Sequence, residues 1–198
     1  MYNKYNRYLN AFLIFFKVQL QMKQLRPKEL KRFLKDRFKH DLDICLFLDN
    51  IQYTRNVAEI FRIADASRVN KLYLSGISPK PPFGNDMQKV SRKKEMRVGW
   101  EFIDNPDKFF IRMQKAGYLI LALEITDESI DLPEFDLENN KKILIILGNE
   151  VNGISSRILK YAAKSIMIPM YGKGASLNVS VSAAILIYYF VLKNYAQP

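Results

Sequence analysis

Ser176 and Asn178 close the run Ile168-Pro169-Met170-Tyr171-Gly172-Lys173-Gly174-Ala175-Ser176-Leu177-Asn178-Val179, which begins like a strand, passes a glycine-rich turn and ends at a helix start. A strand on one side and a helix on the other hold such a polar pair at a fixed place. Two more polar groupings lie upstream: Gly148-Asn149-Glu150-Val151-Asn152-Gly153, and Asn56 with Arg62 six residues later. The chain has one cysteine, Cys45, and one histidine, His40, too few for a Cys/His zinc site or a Cys-His nucleophile pair. No metal is expected, and any chemistry must come from Arg, Lys, Glu, Asp, Ser, Tyr and Asn side chains and from backbone groups. Gly172-Lys173-Gly174 lacks the third glycine of a dinucleotide fingerprint, and no Gly-x-x-x-x-Gly-Lys-Ser/Thr occurs. A cofactor without a pyrophosphate fits better.

Taken singly, each grouping also has an ordinary structural reading. Asn56 and Glu59 have the spacing of a helix capping box, and Arg62 stands at i, i+3 from Glu59. Gly148-Asn149-Glu150 reads equally as a strand-to-helix turn with an acid near a helix N-terminus. Asn178 reads as an N-cap and Ser176 as a turn residue.

The elements that must position these residues alternate. Strand-length apolar runs at 44–48, 71–74, 100–103, 119–125, 142–147 and 165–168 alternate with helical patterns at 57–67, 106–116, 155–163 and 179–194. Strands apolar on both faces predict an α/β fold, a mostly parallel sheet with helices on both faces. In such sheets ligands bind beyond the carboxyl ends of the strands, and the turns after Leu147 and Ile168 both leave at that edge. Residues 80–99 are expected to be a long loop. Upstream, Leu30, Phe33, Leu34 and Phe38 recur at helical spacing after Pro27, so residues 1–40 read as an extension plus a basic helix and 41–198 as the main domain. Ala11 to Phe16 resembles the start of a signal-peptide core, but Lys17 ends it after six residues and no cleavage site follows. A short appendage is expected, with Met22 an alternative start and no membrane partner.

Together the three groupings resemble the three motifs of the SpoU/TrmH family of RNA 2′-O-methyltransferases. Asn56 with Arg62 is similar to the first motif, Leu147 to Gly153 to the second, and Ile168 to Val181 to the third. Arg26-Pro27-x-x-Leu30-x-Arg32 is similar to the short N-terminal helix of the family's TrmH-type tRNA guanosine enzymes. The resemblance implies a C-terminal deep trefoil knot and S-adenosylmethionine bound in it, with Leu123, Gly148, Ile168 and Leu177 lining the donor's pocket. It also implies a homodimer whose active site draws on both subunits, and catalytic roles for Arg62, Asn56, Glu150, Ser176 and Asn178. A guanidinium normally stays protonated, so Arg62 is expected to hold the neighbouring phosphate and stabilise a developing alkoxide; a general-base role would need an unusual pKa.

Charge points to the same partner class. Lys and Arg number 31 against 20 Asp and Glu, a net charge of +11, which makes a polyanion the first partner to consider beside a merely lysine-rich soluble surface. The excess concentrates at 22–40 and 80–97, whereas 124–138 carries seven acids and no base. Lys28, Arg32, Arg55, Lys89, Arg92, Lys93 and Lys94 are therefore the expected RNA contacts. The resemblance implies small residues near Lys93 and Lys94, so the two bulky cations depart from the family pattern at a place that bears on the substrate. No stretch resembles the separate RNA-binding domain of many rRNA-modifying relatives, which favours tRNA over rRNA. The single cysteine excludes an intrachain disulfide and fits the cytoplasm. Other readings are a non-catalytic RNA-binding module that kept the fold, and an α/β nucleotide enzyme indifferent to RNA.

Overall fold

The computed structural model describes residues 24–34 and 40–195, which fall in two compact units divided between residues 39 and 40. Phe38, expected on the N-terminal helix, lies outside the described residues. In the first unit, helix α1 (Pro27–Leu34) starts on a proline, whose missing N–H costs nothing in a first turn. The Arg26 N–H donates to Glu29 Oε2 at 2.8 Å, so an acid of the first turn folds back on the helix start.

The second unit is built on a seven-stranded sheet. Its strands are β1 (Asp43–Asp49), β2 (Lys71–Ser75), β3 (Gly99–Ile103), β4 (Leu119–Leu123), β5 (Ile130–Asp131), β6 (Lys142–Leu147) and β7 (Lys164–Met167). Their order is β3-β2-β1-β6-β4-β7-β5 and every pairing is parallel. Parity along β1 and β6 explains their uninterrupted apolar sequence. Ile44, Leu46, Leu48, Ile143, Ile145 and Leu147 face one core, while Cys45, Phe47, Leu144 and Ile146 face the other. Each such fully buried side chain contributes about 1.5–3 kcal/mol of burial free energy.

The first core is roofed by α2 (Thr54–Ser67), α3 (Asn85–Ser91) and α6 (Val179–Tyr195), the second by α4 (Pro106–Lys115) and α5 (Ser156–Leu159). On α2 the buried Val57, Ala58, Ile60, Phe61 and Ala64 form the apolar stripe, and α6 lays Ala183, Leu186, Ile187 and Phe190 into the same core. On the other face Phe47 stacks on Phe109 at 5.3 Å and Phe110 stacks on Tyr161 at 5.0 Å.

The expected α/β sheet is present, with local differences. The expected long loop contains α3 and a single 3-10 turn, Lys94–Met96. The helix expected over 155–163 stops after one turn, because Tyr161 and Ala162 bond back to Ile158 and Leu159 three residues behind, a tighter winding than an α-helix. The acidic loop contributes β5, a two-residue edge strand. No helix among the described residues is long and apolar enough to cross a membrane.

Candidate functional site

The carboxyl ends of β1, β4, β6 and β7 open into a cavity of about 490 Å³, within the range of small-molecule sites. Its lining combines apolar Leu123, Ile166, Ile168, Leu177 and Val179 with polar Tyr53, Asn56, Glu150, Ser176 and Asn178. Eight of the nine expected catalytic and donor-pocket residues thus lie in one place: Asn56, Leu123, Gly148, Glu150, Ile168, Ser176, Leu177 and Asn178. Arg62 is not in the cavity wall; it is exposed on α2, six residues beyond Asn56 and so about 9 Å further along the helix. Among the described residues no carboxylate lies within ion-pair distance of its guanidinium.

A chain of side chains links three of the lining residues. Asn178 Nδ2 donates to Asn56 Oδ1 at 2.9 Å, and Asn56 Nδ2 donates to Glu150 Oε1 at 2.5 Å. Glu150 also accepts the N–H groups of Gln52 at 2.8 Å and Tyr53 at 3.2 Å. The capping box read between Asn56 and Glu59 does not form. Tyr53 is the N-cap of α2 and offers no side-chain cap; a carboxylate from a distant loop instead holds its N–H and that of Gln52 just before it. Burial raises the Glu150 pKa, but the bonds from Gln52 and Asn56, together with backbone N–H groups including that of Tyr53, outweigh it and hold the carboxyl below its ordinary value. Glu59 instead accepts from Ser180 Oγ at 2.6 Å and pairs with Arg55 at 3.0 Å. Burial raises its pKa too, and those two bonds together with the charges of Arg55 and Arg62 more than reverse the effect.

Asn178 serves twice. Its Oδ1 accepts the Ser180 N–H at 2.8 Å, the N-cap bond of α6, while its amide nitrogen holds Asn56. The structural and functional readings of this residue therefore coincide: capping α6 fixes the amide that orients Asn56.

The Gly148 to Gly153 segment is a tight loop closed by Asn149 N–H to Gly153 C=O at 3.0 Å and the reverse bond at 2.9 Å. Asn149 braces it, with Oδ1 accepting the Val151 and Asn152 N–H groups and Nδ2 donating to the Asn50 carbonyl. Both glycines are required by geometry. A Cβ on Gly148 would lie 2.4 Å from the Gly153 carbonyl carbon, and Gly153 has φ +66° with Glu124 Oε2 2.4 Å from where its Cβ would stand.

Sequence reasoning missed four supporting residues: Asn149, Glu124, Asp49 and Ser180. Glu124 Oε2 accepts the Ile154 N–H at 2.8 Å, and buried Asp49 accepts both the N–H and Oγ of Ser155. An acid immediately after an apolar strand was the available signal, since both stand at the ligand edge of the sheet.

Of the expected RNA contacts, Lys28 and Arg32 are exposed on α1, and Arg92 and Lys93 are exposed after α3. Arg55 is paired with Glu59 and Lys89 with Asp86, both at 3.0 Å. Lys94 is bound to Asp65 of α2 at 2.5 Å, with both side chains about one quarter exposed.

The SpoU rRNA Methylase family model matches residues 43–188. The tRNA (guanosine(18)-2′-O)-methyltransferase of Aquifex aeolicus (strain VF5) is 34% identical over 161 residues, covering 81% of this chain and 74% of that protein. The crystal structure of the A. aeolicus TrmH/SpoU tRNA modifying enzyme is similar with a TM-score of 0.71 and 32% identity, over 85% of this chain and 83% of that one. An AdoMet-bound rRNA methyltransferase from Sinorhizobium meliloti shares the fold at TM-score 0.67 and 23% identity, over 78% of this chain and 57% of that one. A family model that matches most of the chain, a relative 34% identical over 81% of it and a shared fold at TM-score 0.71 show that the chain belongs to the SpoU methylase family.

Proposed function

We propose that the protein transfers the methyl group of S-adenosylmethionine to a ribose 2′-hydroxyl of RNA, with tRNA the preferred substrate and rRNA the alternative. The observation that carries this reading is the charge of the cavity. Its wall holds two carboxylates, Glu124 and Glu150, and no cation, in a chain of net charge +11. Such a site favours a small cationic ligand over an anionic one, and the bound donor would supply a methyl group already activated by its sulfonium charge. The backbone from Ile168 to Leu177 makes no backbone hydrogen bond among the described residues, and Tyr171 to Leu177 are exposed, so its polar groups are open to solvent and to a ligand alike. Leu123, Gly148, Ile168 and Leu177 would hold the donor; the Asn178-Asn56-Glu150 chain and Ser176 would orient the ribose. Similar proteins carry names or bound ligands in keeping with this: the A. aeolicus relative is a tRNA 2′-O-methyltransferase and the S. meliloti one binds AdoMet.

Arg62 would stabilise the developing alkoxide and hold the adjacent phosphate. Its place outside the cavity of its own chain suits a homodimer in which it serves the partner's site. An exposed apolar stripe on α6, Val181, Ile185, Tyr188 and Leu192 at spacings of four, three and four, supports pairing of two copies. The deep trefoil knot is supported by the chain path. After β6, between β1 and β4, residues 148–178 loop past the carboxyl edge and through β7 beyond β4, then return to set α6 against α2. Residues 41–198 would be the methyltransferase domain, acting in the cytoplasm. Lys28 and Arg32 of α1 and Arg55, Lys89, Arg92 and Lys93 would add phosphate contacts.

Calorimetric titration with S-adenosylmethionine and incubation with methyl-labelled donor and tRNA, followed by mapping of ribose methylation, test this. Donor binding and label on a ribose 2′-oxygen are expected. RNA binding without donor binding would leave a non-catalytic RNA-binding module instead.

A further inference from the structure

The segment after α3 is held in an uncommon shape. Arg92 (φ 54°, ψ 38°) and Lys93 (φ 58°, ψ 29°) both adopt the left-handed conformation, which non-glycine side chains disfavour and which persists only where the surroundings impose it. Ser91, fully buried, imposes it from one side. Its Oγ donates to the buried Glu95 carboxylate at 2.5 Å and accepts the Lys93 N–H at 3.2 Å. Lys94 imposes it from the other, through the 2.5 Å ion pair with Asp65.

Asp65 stands three residues beyond Arg62 on α2, so the two share a helix face. The Lys94–Asp65 pair therefore docks the loop one helical turn from Arg62. Arg92, Lys93 and Arg97 are exposed, and among the described residues none has a carboxylate within ion-pair distance. The charge of Lys94 is satisfied and largely shielded; the charges of its neighbours are not.

Resting on the RNA reading above, we infer that Lys94 is a positioning residue and not an RNA ligand: by binding Asp65 it fixes a loop whose Arg92, Lys93 and Arg97 grip phosphates beside the ribose that Arg62 addresses. The Lys94 cation is thus an anchor for this loop.

The test is tRNA affinity over a salt series, with KM and kcat for methyl transfer, in Asp65→Asn, Lys94→Ala, their double variant and the charge exchange Asp65→Lys/Lys94→Asp. Either single change should raise Kd and KM for tRNA roughly tenfold, with kcat and donor affinity little changed and the double variant no worse than either single one. The charge exchange should recover most of the loss, and the salt slope should stay at its wild-type value in all of them. Arg92→Ala and Lys93→Ala should each lower that slope by about 0.7–0.9, one phosphate contact apiece. The proposal is overturned if Asp65→Asn leaves RNA binding unchanged or tighter while Lys94→Ala lowers the slope, for then Lys94 itself touches phosphate. A wild-type protein that binds RNA but does not methylate it would defeat the enzymatic reading and leave the loop assignment standing on the binding data.

Discussion

The strand-edge cavity and the cationic loop differ in sign of charge within one small domain. The cavity wall carries Glu124 and Glu150 and no base, and its carboxylates are spent on N–H groups and an amide that hold irregular backbone in place. The loop carries Arg92, Lys93 and Arg97 facing solvent, and its acid, Glu95, is turned inward onto Ser91. In the cavity, then, charge shapes the chain, and in the loop the chain shape presents charge. This division fits two ligands of opposite sign: a small cation admitted to the interior and a polyanion met at the surface.

The largest effect that would break this contrast is expected at Gly148. A methyl group there meets the backbone of Gly153 and Ile154 at 2.4 Å, so Gly148→Ala should displace the loop and lower donor affinity at least tenfold by calorimetry, while tRNA affinity holds.

Glu150→Ala should cost about 2 kcal/mol in chemical denaturation, because the Asn56 amide and two N–H groups at the start of α2 lose their acceptor. Glu150 also gives a pH signature. Its folded pKa lies below the ordinary 4.5, so it binds fewer protons folded than unfolded. Its stabilisation is complete above about pH 4.5 and is lost as pH falls from there through the lower folded value. Glu150→Gln should flatten that acid limb; an unaltered limb would show that the carboxylate is not held as described.

Salt sharpens the comparison further. Raising ionic strength should weaken tRNA binding steeply, by about 0.7–0.9 log units per log unit of salt for each phosphate contact, and leave donor affinity nearly constant. The smallest effect is expected at Lys89, whose i, i+3 pair with Asp86 is almost fully exposed. Lys89→Ala should change stability by no more than about 0.5 kcal/mol in the same denaturation assay.

Much of the cavity is legible in the sequence because its residues stand at strand ends, where an apolar run followed by Gly, Asn or Ser marks the ligand edge. The turns after Leu147 and Ile168 are found this way, and Leu123, Gly148, Ile168, Leu177, Asn56, Glu150, Ser176 and Asn178 are named as site residues through motif resemblance. What spacing cannot show is which partner a polar side chain chooses. Asn56 and Glu59 are three apart and read as a capping pair, yet Asn56 binds Glu150, 94 residues away, and Glu59 binds Ser180. Lys94 reads as one more cation of a basic run, and only the packing of its loop on α2 reveals Asp65 beside it. Helix α3 is hidden for a different reason: it has seven residues and sets only Met87 and Val90 against the core, too short a stripe for periodicity to find.

Arg62 decides the account. The most direct measurement is single-turnover transfer of labelled methyl from S-adenosylmethionine to tRNA by the wild-type protein and by Arg62→Ala, with donor binding measured in parallel. The predicted result is label on a ribose 2′-oxygen for the wild type, and at least about a hundredfold slower transfer for the variant with donor affinity unchanged. Equal rates for the two proteins would contradict it.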